Sequence, residues 1–188
     1  MSNSARVIMT YKCNRQCPGC ANTYDDVMAK AQRLTSVKQL QGYENLVISG
    51  GEPMLSPDRV INLAKVLHKA APQAKIFLYT AFNKNNKDIE RVLPHIDGIN
   101  YTVHTDSEQD AAQFQGFQAL ASRWKDKAFR LYVEKPIADK LVIIPGVWER
   151  IKTAPWMTEP EMIKAGGCPE DLFILAKEPR PTKANNAP

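Results

Sequence analysis

The stretch "NLVISGGEPMLSPDRVINLAKVLHKAAPQAKIFLYTAF" (45–82) reads as strand, helix, strand. Its ends, "NLVISG" (45–50) and "KIFLYTAF" (75–82), are short runs rich in aliphatic, β-branched and aromatic residues. They are largely apolar on both faces, as strands of a covered parallel sheet are. Between them Val60, Leu63, Ala64 and Leu67 make one apolar stripe at helical spacing. Ser56 is placed to cap that helix, Pro57 suits its first turn, and Asp58 meets the positive end of its dipole. Strand–helix–strand units of this kind build parallel α/β sheets with right-handed crossovers.

The same alternation extends both ways. "RVIMTYK" (6–12), "GINYTVHT" (98–105), "FRLYVE" (129–134) and "LFILAK" (172–177) read as further strands, and 86–96 and 107–124 as helices. Asp110 follows Ser107 by three residues, the spacing of a capping box. The pattern loosens over 135–170: "KLVIIPGVW" reads as an additional strand and "WERIKTAPWMTEPEMIKA" as two short helices. An eight-unit barrel takes about 250 residues, so six units in a chain of this length suit a partial barrel. One domain over 1–177 and a flexible tail over 178–188 are expected, with the first five residues frayed.

Composition excludes several classes. The 188 residues carry a net charge of +5 without a basic block or basic helical stripe, so no nucleic-acid groove is indicated. No apolar run approaches the ~18 residues of a membrane span, and the first residues lack a signal peptide's apolar core. A cytoplasmic protein is expected, and in a reducing compartment cysteines do not read as a disulfide framework.

Three of the four cysteines crowd into "TYKCNRQCPGC" (10–20), directly after the first strand; Cys168 lies far away. Cys13-x3-Cys17-x2-Cys20 lets one turn of backbone wrap a soft metal or cluster. Structural zinc wants four protein ligands. On a four-iron cluster, three ligands leave one iron open to an exogenous group. At the end of the second strand stands "ISGGEPML" (48–55), whose Gly50 and Gly51 permit a sharp bend and close approach.

The two segments together resemble the radical S-adenosylmethionine (radical SAM) enzymes, over residues 6 to at least 134. The wording "CPGCAN" (17–22) is similar to the short activating proteins of anaerobic ribonucleotide reductase. The resemblance implies a partial (β/α)6 barrel. It implies a [4Fe-4S] cluster on Cys13, Cys17 and Cys20, with S-adenosylmethionine (SAM) on the open iron. Reductive cleavage of SAM then yields a 5′-deoxyadenosyl radical that takes hydrogen from a substrate. In that family the Gly-Gly-Glu turn meets the amino group of the methionine. That makes Gly50, Gly51, Glu52 and Pro53 cofactor-binding candidates, with Glu52 either adding charge near the ammonium or bracing the turn. Many members carry an aromatic residue before the third cysteine, in contact with adenine; here that position is Gly19.

Strand ends in such barrels face the ligand. Alternation there offers Thr80, His104 and Glu134, with Thr102, Arg130 and Tyr132 near them. Tyr11 and Asn22 are read as packing around the cysteine loop. Cys168 reads as a buried or incidental thiol, and His68 and His95 as surface residues without a role. The implied partners are a low-potential electron donor, flavodoxin- or ferredoxin-like, and either a glycyl-radical protein substrate or, as in 7-carboxy-7-deazaguanine synthases, a small molecule or peptide. A non-catalytic zinc module is the competing class.

Overall fold

The computed structural model describes residues 2–181. In chain order its elements are β1 (Ser4–Thr10), α1 (Asp25–Met28), β2 (Gln32–Arg33), β3 (Asn45–Gly50) and α2 (Pro57–Ala70). There follow β4 (Lys75–Thr80), α3 (Asn86–Val92), β5 (Gly98–Val103), α4 (Glu108–Ala121), β6 (Ala128–Glu134), β7 (Arg150–Ala154), α5 (Glu159–Lys164) and β8 (Asp171–Ile174). All strands form one sheet in the order β2-β8-β1-β3-β4-β5-β6-β7, and every pairing is parallel.

From β1 through β7, leaving out β2, consecutive strands are neighbours, so the winding never reverses as it does in a doubly wound sheet. Short α1 packs with Ile8 and Leu172 on one face, and the longer helices α2, α3 and α4 collect on the opposite one. There Val7, Met9, Leu46, Ile48, Ile76, Leu78, Ile99 and Leu131 pack with Val60, Leu67, Phe114 and Phe117 in the main core. Residues of the opposite parity, among them Arg6, Tyr79, Thr102 and Tyr132, line a cleft on the other face. This is a six-strand partial barrel as expected, but its sixth strand is β7; the expected sixth strand, β8, lies with β2 on the other side of β1.

The helix between β3 and β4 spans 57–70 as anticipated, but Ser56 makes no side-chain cap; it closes the short 3-10 turn Pro53–Leu55 instead. Ser107 does cap α4, accepting from Asp110 N at 3.2 Å, while the Asp110 carboxylate turns to other partners. The irregular region departs furthest from expectation. "KLVIIPGVW" is no strand: a 3-10 turn over Lys135–Lys140 runs into a loop with Gly146 at φ +76°. Its backbone is satisfied by fully buried Gln118 on α4, which accepts from Ile144 N (2.9 Å) and Trp148 Nε1 (3.0 Å) and donates to Val142 O (3.0 Å). The strand is Arg150–Ala154, where the first of two short helices was expected; only the second forms, as α5.

The chain then crosses from the C-terminal end of β7 to the start of β8, and residues 155–157 with Met162 form one wall of the cleft. Beyond β8, Glu178 accepts from Thr10 Oγ1 (3.2 Å) and Arg180 pairs with Asp25, so the described part of the expected flexible tail is tied down. Likewise Ser4 and Ala5, expected to fray, already belong to β1. The rest of that tail, 182–188, lies outside the described residues. No described helix is long and apolar enough to cross a membrane.

Candidate iron–sulfur and cofactor cleft

The loop after β1 and the turn after β3 lie side by side. Gly51 N donates to Thr10 O and Glu52 N to Lys12 O, both at 2.8 Å. The fit explains both glycines. A Cβ on Gly50, whose φ is +148°, would lie 2.2 Å from Thr10 O, and one on Gly51 2.3 Å from Lys12 O. The close approach they allow is thus to the cysteine loop itself. Cys13, Cys17, Cys20, Gly50, Gly51 and Glu52 all line the same cleft of about 380 Å³.

The carboxylate of Glu52 is 2% exposed and fully engaged. Oε1 accepts from Met54 N (2.9 Å) and Thr80 Oγ1 (2.7 Å), and Oε2 from Ala81 N (3.0 Å). Burial pushes its pKa up, opposed by these three donors and by Arg15. Of its two expected roles, bracing the turn is the one its bonds display. Pro53 is buried at the first position of the 3-10 turn that Glu52 caps. Thr80 has the parity of Ile76 and Leu78 and acts through Glu52, although it also touches the cleft.

Two residues fix the loop, Asn22, read from the sequence only as packing, and Arg15, which was passed over. Asn22 Nδ2 donates to Gly50 O at 2.7 Å, and its side chain and backbone amides also point at Cys20, tying the third cysteine to the glycine turn. Arg15, between Cys13 and Cys17, makes a two-pronged pair with Asp110 (2.8 and 2.7 Å) and donates to Ala81 O at 2.8 Å. An arginine between the first two cysteines gave no sequence signal, because its acceptor lies 95 residues on.

His104 lies at the rim as expected. Its ring stacks on Trp156, centroids 4.8 Å apart and 17° between planes, and its buried Nδ1 has no partner. Burial, and then the positive charge of Arg15, lower its pKa to about 4, so the ring is neutral near pH 7. Glu134 reaches the site indirectly, accepting from Trp156 N at 3.1 Å. Of the flanking candidates, Thr102 and Tyr132 line the cleft, while Arg130 pairs with Glu149. Cys168 lines a separate small cavity of about 110 Å³ with Lys30 and Glu170, apart from the other cysteines. His68 Nε2 lies 3.1 Å from His95 O, away from the cleft.

The thiols suit a cluster chemically. Burial is the largest influence on each and raises its pKa; at Cys17 repulsion from Cys20 and Cys13 adds to it, to about 12. Three thiolates so placed need a compensating cation, and backbone N–H groups of Asn22 and Thr23 directed at Cys20 are the bonds that tune cluster sulfur. Among the described residues no three His, Cys, Asp or Glu side chains converge to hold a single ion. A cluster spreads its ligands over separate irons and does not ask for that convergence.

The family model described as "4Fe-4S single cluster domain" matches residues 5–119, which include all three cysteines and the glycine turn. The chain belongs to this family. A [4Fe-4S] cluster is accordingly the resident group of this 4Fe-4S single cluster domain, and Cys13, Cys17 and Cys20 are the thiols that line its cleft. No curated protein matches the chain by sequence. Among solved structures, this 4Fe-4S domain is similar to BtrN in complex with AdoMet and 2-DOIA, with a TM-score of 0.47, 16% identity, and coverage of 76% of this chain and 59% of that one. A selenomethionine BtrN in an open conformation gives 0.41 and 19%, covering 58% and 54%. The chain thus spans little more than half the length of either.

Proposed function

We propose that the chain is a radical SAM enzyme. The observation that carries this reading is the shared cleft: three cysteines, too few to close a four-iron cluster, lie beside a glycine turn bonded to their own loop. When bound, the cluster and SAM supply reductive cleavage of the sulfonium and abstraction of a hydrogen atom from the substrate.

The protein's part is to hold and shield. Cys13, Cys17 and Cys20 anchor the cluster. The carbonyl of Gly51, next to that of Gly50 already held by Asn22, is placed to accept from the methionine ammonium. Glu52 and Thr80 keep the turn in shape from behind. Arg15 and Asp110 clamp the loop between its first two cysteines, and Trp156, Met157 and Met162 wall the cleft against water. A low-potential donor such as a flavodoxin or ferredoxin supplies the electron.

The substrate reading has two branches. The "CPGC" wording supports activation of a glycyl-radical protein. Modification of a small molecule or peptide is favoured by a specific feature: the 155–162 segment crosses the concave face that a lid-poor barrel would leave bare, narrowing access to a macromolecule. Anaerobic reconstitution is expected to give a brown protein that converts SAM to 5′-deoxyadenosine under dithionite, and Cys17→Ala is expected to abolish both colour and turnover. A colourless wild-type protein that leaves SAM intact refutes the proposal.

A further inference from the structure

The cysteine loop also reaches the molecular surface: Lys12, Cys13 and Asn14 are exposed, while Cys17 and Cys20 are half-buried. Here the loop after β1, the turn after β3 and the loop after β4 are bonded to one another. Glu52 N donates to Lys12 O at 2.8 Å, Ala81 N to Glu52 Oε2 at 3.0 Å, and Arg15 Nη2 to Ala81 O at 2.8 Å. With the first turns of α2 and α3 these loops form one continuous rim. Leu55, which ends the turn after β3, is an apolar side chain left 41% exposed on it.

Cations gather on the same rim. Lys84 follows β4, Lys87 lies in the first turn of α3 and Arg59 in the first turn of α2, and all three are exposed. The carboxylates beside them are already held: Asp58 and Asp88 by Arg91, and Glu178 by Arg59 (3.5 Å) and Thr10 (3.2 Å). Lys12, Lys84 and Lys87 form no ion pair among the described residues, so the rim carries uncompensated positive charge. The other flank of the cysteine loop, toward α1, instead exposes Asp25 and Asp26. An apolar side chain among unpaired lysines is the composition of a charge-steered protein interface with a small apolar centre.

We infer that an acidic one-electron carrier protein docks on this rim, its carboxylates facing Lys12, Lys84 and Lys87 and its apolar contact on Leu55. The inference rests on the reading of the chain as a radical SAM enzyme, whose cluster is reduced from outside. Trp156, Met157 and Met162 wall the cleft side, which leaves Cys13 as the thiol that a carrier can approach. One electron passes from the carrier's reduced centre to the cluster; the carrier is oxidised by one electron, and no bond or proton is exchanged. Redox encounters are weak and bury less than about 1,200 Å² in all, so a patch of a few side chains is of fitting size.

The test is anaerobic surface plasmon resonance of the cluster-containing protein against an acidic flavodoxin and an acidic ferredoxin, at low and at moderate salt. The double variant Lys84→Glu, Lys87→Glu reverses two exposed charges away from the cysteines. It is expected to weaken binding roughly tenfold or more, mainly through the on-rate, and to lose most of the salt dependence. Lys65→Glu with Lys69→Glu makes the same change in net charge toward the far end of α2, and is expected to stay within about twofold of wild type. Leu55→Ser is expected to weaken binding about threefold to tenfold and to keep the salt dependence. SAM cleavage is the second readout: the Lys84, Lys87 variant slows it when the carrier supplies the electron and stays within about twofold of wild type when dithionite does. Circular dichroism and the cluster's absorbance verify that each variant is folded and holds its cluster. Equal carrier binding by wild type and the Lys84, Lys87 variant, or an equal loss in the Lys65, Lys69 variant, overturns the inference. So does a wild type that binds neither carrier while dithionite still drives cleavage; in each of these cases the enzyme reading stands. A wild type that leaves SAM intact under dithionite overturns both.

Discussion

Gly51 tolerates no side chain, because a Cβ there would lie 2.3 Å from the carbonyl oxygen of Lys12. Gly51→Ala must separate the turn from the cysteine loop and break the bond from Glu52 N to Lys12 O. A cost of ~2 kcal/mol or more is expected in urea titration, with reduced cluster occupancy by iron analysis. His104 sets a pH dependence. Its folded pKa, about 4, lies below the ordinary value of 6.5, so between these limits the unfolded chain binds more protons. Stability is full above pH 6.5 and falls as pH drops toward 4, by at most ~3 kcal/mol. Urea titrations from pH 7 to pH 4 are expected to show this slope flatten in His104→Phe; an unchanged slope would reject the assignment. At this scale the cysteines and glycines were legible because each is a rare residue type in a fixed local spacing. Arg15 and Trp156 were not, and Asn22 was legible only as packing, since each gains its meaning from a partner distant in sequence.

Among elements, the six strands expected over 6–12, 45–50, 75–82, 98–105, 129–134 and 172–177 all formed, because burial imposes a period that can be read, whereas "KLVIIPGVW" did not. β7 escaped because four of its five residues are exposed; only its ladder with β6 defines it. The apolar run just before it, "KLVIIPGVW", spends its side chains on packing near α4 and its backbone on Gln118. A single buried amide standing in for a strand neighbour leaves no periodic trace. The consequence is testable. Gln118→Leu orphans Ile144 N, Trp148 Nε1 and one bond of Val142 O, and is expected to destabilise by roughly 2–4 kcal/mol. Exchange of the Ile144 amide should rise well before that of β5 and β6. Loss confined to within ~0.5 kcal/mol would mean that water satisfies the loop.

The molecule as a whole has two packing regions of unequal strength. The main core lies on the helix side and joins α2, α3 and α4 to the central strands. A smaller cluster joins Tyr24, Val27 and Met28 beside the cysteine loop to Ile8, Leu172 and Ala176. The cysteine loop is stitched to the 155–162 segment by Tyr24 Oη on Met157 O, Glu159 on Asp26 N and Trp156 on Gly19. These contacts sit over three thiols, Cys13 exposed and Cys17 and Cys20 half-buried, that repel one another when ionised. A bound cluster cancels that repulsion and cross-links residues 13 to 20, so its binding energy adds to the stability of this region alone. Removing it with a chelator under oxidant should therefore not unfold the chain uniformly. Hydrogen exchange is expected to accelerate over 13–28 and 155–165 while α2, β3, β4 and β5 keep their protection, because their packing does not involve the loop. Uniform loss of protection would instead make the cluster the keystone of the main core, contrary to the division of contacts seen between the two regions.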